Sequence, residues 1–121
     1  MGTAIKIFSA NENLSASRGT EWREYTVGTN SGATASHAAT AGVVHKVCGA
    51  TFYSDKNSII SILSGTTVIW EGSILTAVST TVHVPFQEPI QGTISELVSA
   101  VVASSTSDCS ATIWGFSDKT T

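Results

Sequence analysis

The chain is poor in several things at once. It has two cysteines, two prolines and one methionine in 121 residues, and six Lys or Arg against nine Asp or Glu. Charged residues make up 12%, where about 25% is usual. So few cations exclude a basic surface able to neutralise several phosphates together, and with it general nucleic-acid binding. Between Lys56 and Lys119 there is no Lys or Arg at all. Strands in that stretch cannot use positive charge to discourage edge pairing, so part of their surface is expected to be covered by partners. No apolar run approaches the roughly 20 residues that cross a bilayer as a helix, and no membrane contact is expected. The opening MGTAIKIFSANENL lacks a basic stretch leading into an apolar run, so a secretory signal is not expected.

The usual chemical signatures are also missing. There is no GxGxxG or GxxxxGK[ST] phosphate cradle, no HExxH and no GxSxG elbow, each of which needs its residues at fixed spacing to do its chemistry. No two carboxylates form a pair that spacing identifies as glycosidic acid and base. Of the three histidines, His45 and His83 fall at alternating positions of strand-like runs, where a hydrogen bond to a neighbouring strand is expected. His37 lies in a small-residue segment and is expected to be solvated. Neither catalysis nor a cofactor or metal is therefore expected. Cys48 and Cys109 are too far apart for a CxxC arrangement. They are left as inert, buried small hydrophobes or as a disulfide closing a long loop.

What the chain does have is hydroxyl: 18 Ser and 17 Thr, beside 41% hydrophobic residues. That apolar content, with a net charge of −3, lies outside the composition of disordered chains, and the length suits one domain with one core. Residues 1–42 read as N-terminal strands (Ala4 to Ser9 and Glu21 to Val27) followed by an extended arm or loop at 28–42, GTNSGATASHAATAG, which has no large apolar side chain. Residues 43–121 read as the body. Val43 to Ser54 is a long strand with a bend or bulge expected at Gly49, Asp55 to Asn57 a turn, and Ser58 to Leu63 a strand joined by a tight Ser64-Gly65 connection to TTVIWEGSIL. In that returning strand Val68, Trp70 and Ile74 are expected on one face. Thr80 to Val84 follows, with Pro85 at a strand exit or edge and another turn at Pro89 and Gly92. Thr93 to Ser104 fits a helix by its Ile94, Leu97, Val98, Val101 spacing and a strand by the alternation of Val98, Ala100 and Val102; the neighbouring strands favour the strand. Cys109 to Ser117 closes the chain with Ile113 and Trp114 on opposite faces. Short strands at this spacing predict an all-β fold, an antiparallel jelly-roll-like β-sandwich with an extended N-terminal segment.

Among the tryptophans, Trp70 and Trp114 lie in apolar strands and are expected in the core. Trp22, between Glu21 and Arg23, is expected to meet a partner. An exposed ring on a sandwich also suits a carbohydrate-binding module, which stands as the alternative reading.

Four segments in order, SGTTVIWE at Ser64 to Glu71, VPFQEPIQGT at Val84 to Thr93, VVASS at Val101 to Ser105 and IWGF at Ile113 to Phe116, resemble small jelly-roll decoration or cement proteins of tailed bacteriophage capsids. The likeness covers about 60% of the chain, from Val43 to Phe116, and none of residues 1–42. It implies a homotrimer on the exterior of an icosahedral head, assembled in the host cytoplasm, with the major capsid protein as partner and no inherited catalytic or metal residue. Beside it, the N-terminal third is expected to supply the partner-binding surface, through Trp22, Arg23, Tyr25 and His37.

Overall fold

The computed structural model describes residues 20–75, 79–103 and 107–119; the strand expected at Ala4 to Ser9 lies outside them. Eight strands follow one another: β1 (Thr20–Gly28), β2 (Ala33–His37), β3 (Val43–Ser54), β4 (Ser58–Ser64), β5 (Thr67–Ile74), β6 (Thr80–Gln91), β7 (Val98–Ala103) and β8 (Cys109–Lys119). They form two four-stranded antiparallel sheets, sheet A in the order β1-β8-β3-β6 and sheet B in the order β2-β7-β4-β5. The pairs β1·β8, β2·β7, β3·β6 and β4·β5 are those of one long hairpin with its tip at β4 and β5. Rolling that hairpin drops successive pairs into alternate sheets, which is the jelly roll.

Alternation along each strand sends one set of side chains between the sheets. Val47, Ala50 and Phe52 of β3, Ile60 and Ile62 of β4, Ile74 of β5, Val98, Ala100 and Val102 of β7, and Ala111 and Ile113 of β8 make the core. Each of the larger ones contributes about 1.5–3 kcal/mol by leaving water. Trp70 stacks on Phe52 (centroids 5.9 Å, planes 10° apart) and meets Phe86 edge-on, so it packs against the core while staying partly exposed.

Four local expectations are revised. Residues 28–42 are not all arm or loop: Ala33–His37 form β2, an edge strand paired to β7, with Ala33 and Ala35 fully enclosed. Small side chains there are a packing choice, since the β2 edge lies close to β1. Second, β6 runs through both prolines. It is an edge strand, where a missing N–H costs no ladder bond, and its register to β3 jumps from Gly49↔Pro85 to Val47↔Ile90. Residues 86–89 therefore arch outward, and Phe86 packs back against the core. Third, a bulge sets Ile62 opposite Trp70 but Leu63 opposite Val68. The extra residue, Ile69, inverts the alternation, so Val68 leaves the face of Trp70 and Ile74 and is 50% exposed. Fourth, the two-residue connection of that hairpin is Gly65-Thr66, one position later than expected, since Ser64 pairs with Thr67. Gly65 has φ +61°, the positive value a type II′ hairpin needs at its first central residue.

The Thr93 to Ser104 ambiguity resolves as strand from Val98 to Ala103, with Val98, Ala100 and Val102 buried. Ahead of it the chain turns, the Glu96 N–H donating to the Thr93 carbonyl at 3.2 Å. The Pro-bracketed segment ends on Gly92, whose N–H donates to the His45 carbonyl (2.9 Å), and Thr93, whose N–H donates to Ser64 Oγ (2.8 Å). These two bonds tie sheet A to sheet B.

Candidate functional site

Strand alternation divides the four residues expected to form one surface. On β1, Trp22 and Glu24 turn inward, whereas Arg23 and Tyr25 stand on the outer face of sheet A. His37, at the end of β2, is not solvated as expected: it stacks on Trp22 (centroids 4.4 Å, planes 8° apart) and its Nδ1 lies 2.8 Å from Glu24 Oε2. A carboxylate only accepts, so Nδ1 carries the hydrogen. His45, 1% exposed, meets both rings edge-on. Its Nε2 donates to the Ala38 carbonyl and its Nδ1 lies 2.8 Å from Ser117 Oγ. Because a carbonyl cannot donate, the neutral ring is the Nε2–H form and Ser117 is the donor to Nδ1. This cluster binds the β1/β2 side of the sandwich together. Trp22 is thus a packing residue, with its indole Nε1 buried and unpaired among the described residues.

The outer face of sheet A holds a different arrangement. Register aligns Arg23 of β1 with Trp114 of β8, and Trp114 in turn with Gly49 of β3. The indole lies on Gly49: a Cβ there would meet Cε2 and Cη2 at 2.9 Å each, with Cζ2 between them nearer still. The flanking atoms are too near for an approach along the ring edge, so the ring presents its face to this point, and only glycine leaves room for it. His83 of β6 stacks on the same indole (5.4 Å, 17°), held by Thr51 Oγ1 at 2.8 Å from its Nδ1. The expectation of a bend or bulge at Gly49 is met at the preceding residue. Between Val47 and Gly49 the register to β8 shifts by one, leaving Cys48 as the bulged residue.

A groove of about 550 Å³ follows from this geometry, lined by Trp114, His83 and Thr51, by Glu21 and Arg23 of β1, and by half-buried Cys48, Trp22 and Gly115. A smaller hollow of about 270 Å³ lies beside His37 and Ser117. Both cysteines are free thiols, which removes the disulfide alternative. Cys109 is buried and donates to the Ser31 carbonyl (3.1 Å), and burial pushes its thiol pKa above the ordinary value. Among the described residues no three His, Cys, Asp or Glu side chains gather around a point where a metal could sit.

The residue that sequence reasoning misplaced is Trp114. Its strand is apolar enough to suggest burial, yet Ile113 beside it occupies the core, and strict alternation then obliges Trp114 to face outward. A glycine directly across the ladder was the further signal, but its partnership needs the register.

The outer face of sheet B is lined differently. Its rows are Ala103, Ile59 and Ser73; Thr34, Val101, Ser61 and Glu71; Ser36, Ser99, Leu63 and Val68. Ile59 and Val68 are about half exposed, and Glu71 is the one ionisable residue in these rows.

Comparison of the chain with protein-family models, with curated proteins and with solved structures finds no match.

Proposed function

We propose that the protein is a capsid decoration protein: a homotrimer that sits on the exterior of an icosahedral phage head and clamps neighbouring copies of the major capsid protein, without a reaction of its own. The observation that carries this reading is the outer face of sheet B. A face on which Ile59, Leu63, Val68 and Val101 alternate with serine and threonine and only Glu71 is ionisable is poor in the charge that solvent surfaces usually carry. It matches the apolar interfaces that copies of one chain make with each other more closely than the charged rim of a transient contact. In this reading sheet B packs against neighbouring copies. Tyr25 and Val27, 63% and 59% exposed on the edge strand β1, are apolar side chains on sheet A that could meet the shell, and Arg23 belongs to the groove. The resemblance of segments in β5, β6, β7 and β8 to cement proteins supports the assignment to a capsid.

The mechanical consequence follows from multivalency. Once one arm of a trimer is bound, the others bind intramolecularly, so weak single contacts combine into an avidity roughly 10²–10⁴ above any one of them. Binding only the mature lattice stabilises it by mass action.

Electron cryomicroscopy of the source particle, with light scattering of the purified protein, tests the proposal. Three-fold knobs on the shell whose density fits this sandwich, and a trimeric mass in solution, are expected. A monomer that adds no density to the shell would overturn it.

A further inference from the structure

The two long sides of the sandwich are finished differently. At the side of β1 and β2, Trp22 is closed in by His37 and His45. At the side of β5 and β6 the core is less completely covered: Ile69 and Trp70 of β5 and Val82, Val84 and Phe86 of β6 pack against it yet stay partly exposed. We propose that this side is a docking site for one segment of the same chain, Ala4 to Ser9, which adds to the outer edge of β5 as an antiparallel strand. The inference does not rest on the capsid reading, since it concerns a single chain.

The edge comes first. Sheet B ends on β5, with β4 on one side and, among the described residues, no strand on the other. A row of unpaired edge N–H and C=O groups is a template for another strand, and proteins usually blunt it with proline, charge or covering structure. The other three edges are blunted in these ways. β6 carries Pro85 and Pro89, β1 carries Glu21, Arg23 and Glu24, and β2 is five residues long and lies close to β1. β5, TVIWEGSI, has neither proline nor cation, and beyond its bulge Trp70 to Ile74 keep regular pairing with β4.

The pattern of β5 then selects the occupant. An added strand must turn apolar side chains toward the open side and meet Glu71, the one charged residue of β5, on the outer face. Ala4 to Ser9, AIKIFS, alternates in that way. Lys6 set opposite Glu71 brings Ile5 opposite Gly72 and Ile7 opposite Trp70, so both isoleucines face inward. The Trp70 indole lies over Gly72, where a Cβ would meet its Cη2 at 2.9 Å, and the isoleucines would cover the part of it that is exposed. A slip of one position would turn Lys6 inward and both isoleucines out. The β5 of another copy in this place would bring a second carboxylate and no cation.

Reach and direction agree. β1 begins at Thr20, opposite Ser117, and Ser117 lies opposite His45. The His45 carbonyl accepts from Gly92, and the Thr93 N–H donates to Ser64, where β4 turns into β5. Thr20 and the start of β5 therefore lie at one end of the sandwich. Between them are three strand spacings, about 14 Å, and one sheet spacing of about 10 Å. Ala10 to Gly19 are ten residues, which reach about 33 Å when extended. Coming from that end, the segment places Ser9 toward Thr67 and Ala4 toward Ile74, which makes it antiparallel to β5. Ile94 and Leu97, 45% and 37% exposed, lie in the turn at the same end, and Leu14 is the large apolar residue of the connection.

The test is hydrogen exchange of the full chain, followed by mass spectrometry over residues 67–75. This stretch should exchange about tenfold faster in Ile5→Asp/Ile7→Asp than in the wild type, with β8 unchanged. Lys6→Glu should speed it about threefold, and Glu71→Lys in the same chain should restore the wild-type rate. A second measurement reads the register and the chain of origin. Lys6→Cys with Glu71→Cys should form a disulfide within one chain, found by peptide mapping of the monomer band on a non-reducing gel. Ile7→Cys with Glu71→Cys, on opposite faces, should form none. Exchange over 67–75 as fast in the wild type as in the variants would overturn the proposal. So would a rise shared equally by β8, or a disulfide that joins two chains.

Discussion

The two outer faces of the sandwich are made by the same kind of strand, and differ in almost everything a partner would notice. Sheet A presents Glu21, Arg23, His83 and Trp114 around a groove, and elsewhere the Lys46–Asp118 ion pair; sheet B presents Ile59, Leu63, Val68 and Val101 among serines and threonines, with Glu71 alone for charge. Both sheets contribute side chains to the same core, so the core does not cause the contrast. Two bulges do much of the work. The one at Cys48 turns a side chain into the groove of sheet A, and the one at Ile69 turns Val68 out of the core onto sheet B. A single inserted residue in a ladder thus decides what the surface offers, as a slip of one position exchanges the faces.

The strongest way to break the contrast is to disrupt sheet A at its centre. In Gly115→Ala a Cβ would collide with the Lys46 carbonyl and press on Trp22 Cζ2 at 3.0 Å. Backbone cannot yield as a side chain can, so a loss of about 3 kcal/mol is expected in urea unfolding; unchanged stability would mean that β3 and β8 are not held this close. Next in size is the face of sheet B. Ile59→Lys combined with Val68→Glu should weaken self-association about 100-fold by sedimentation, while the monomer keeps its stability to within about 0.5 kcal/mol, as surface changes do. Retained trimers would show that sheet B is not the interface.

Smaller effects sharpen the comparison. Glu24→Gln removes the carboxylate that holds His37 at 2.8 Å. The pair is partly solvated, so a loss of about 0.5–1 kcal/mol is expected in urea unfolding. Unchanged stability would show that the pair adds nothing to the fold. The smallest effect concerns Cys109. Burial raises its thiol pKa in the folded chain, so on raising the pH the unfolded chain gives up this proton first. The contribution to stability is whole below the ordinary thiol pKa of about 8.5 and declines as pH rises above it. Urea midpoints measured from pH 7 to 10 should therefore fall more in the wild type than in Cys109→Ala. Parallel curves would contradict the buried thiol.

Much of the fold was legible because strand alternation is a local signal. The bounds of β3 coincide with the run Val43 to Ser54, and β8 begins at Cys109 as its pattern suggests. Where reading failed, the missing information was non-local. β2 carries only Ala, Thr, Ser and His, and nothing in it announces a strand until β7 lies beside it. Pro85 and Pro89 argue against a continuous strand unless β6 is known to be an edge. The candidate site was less legible still. Arg23 could be picked out by its place next to Trp22, but Trp22 itself proved to be packing and Trp114 the surface ring. Which tryptophan is covered depends on which sheets and strands oppose it.

By itself the sequence determined that this chain is all-β, that its strands alternate, that its surface is poor in positive charge and rich in hydroxyl groups, and that Ile113 and Trp114 must face opposite ways. Those properties are written in residue type and period. Only the tertiary structure decided that Trp114 rests on Gly49 beside His83 and Arg23, that Trp22 closes on His37 and His45, and that Val68 faces outward. Each of these depends on ladder register and on bulges. Register is set by the summed packing of strands far apart in the chain, which no local stretch of residues contains.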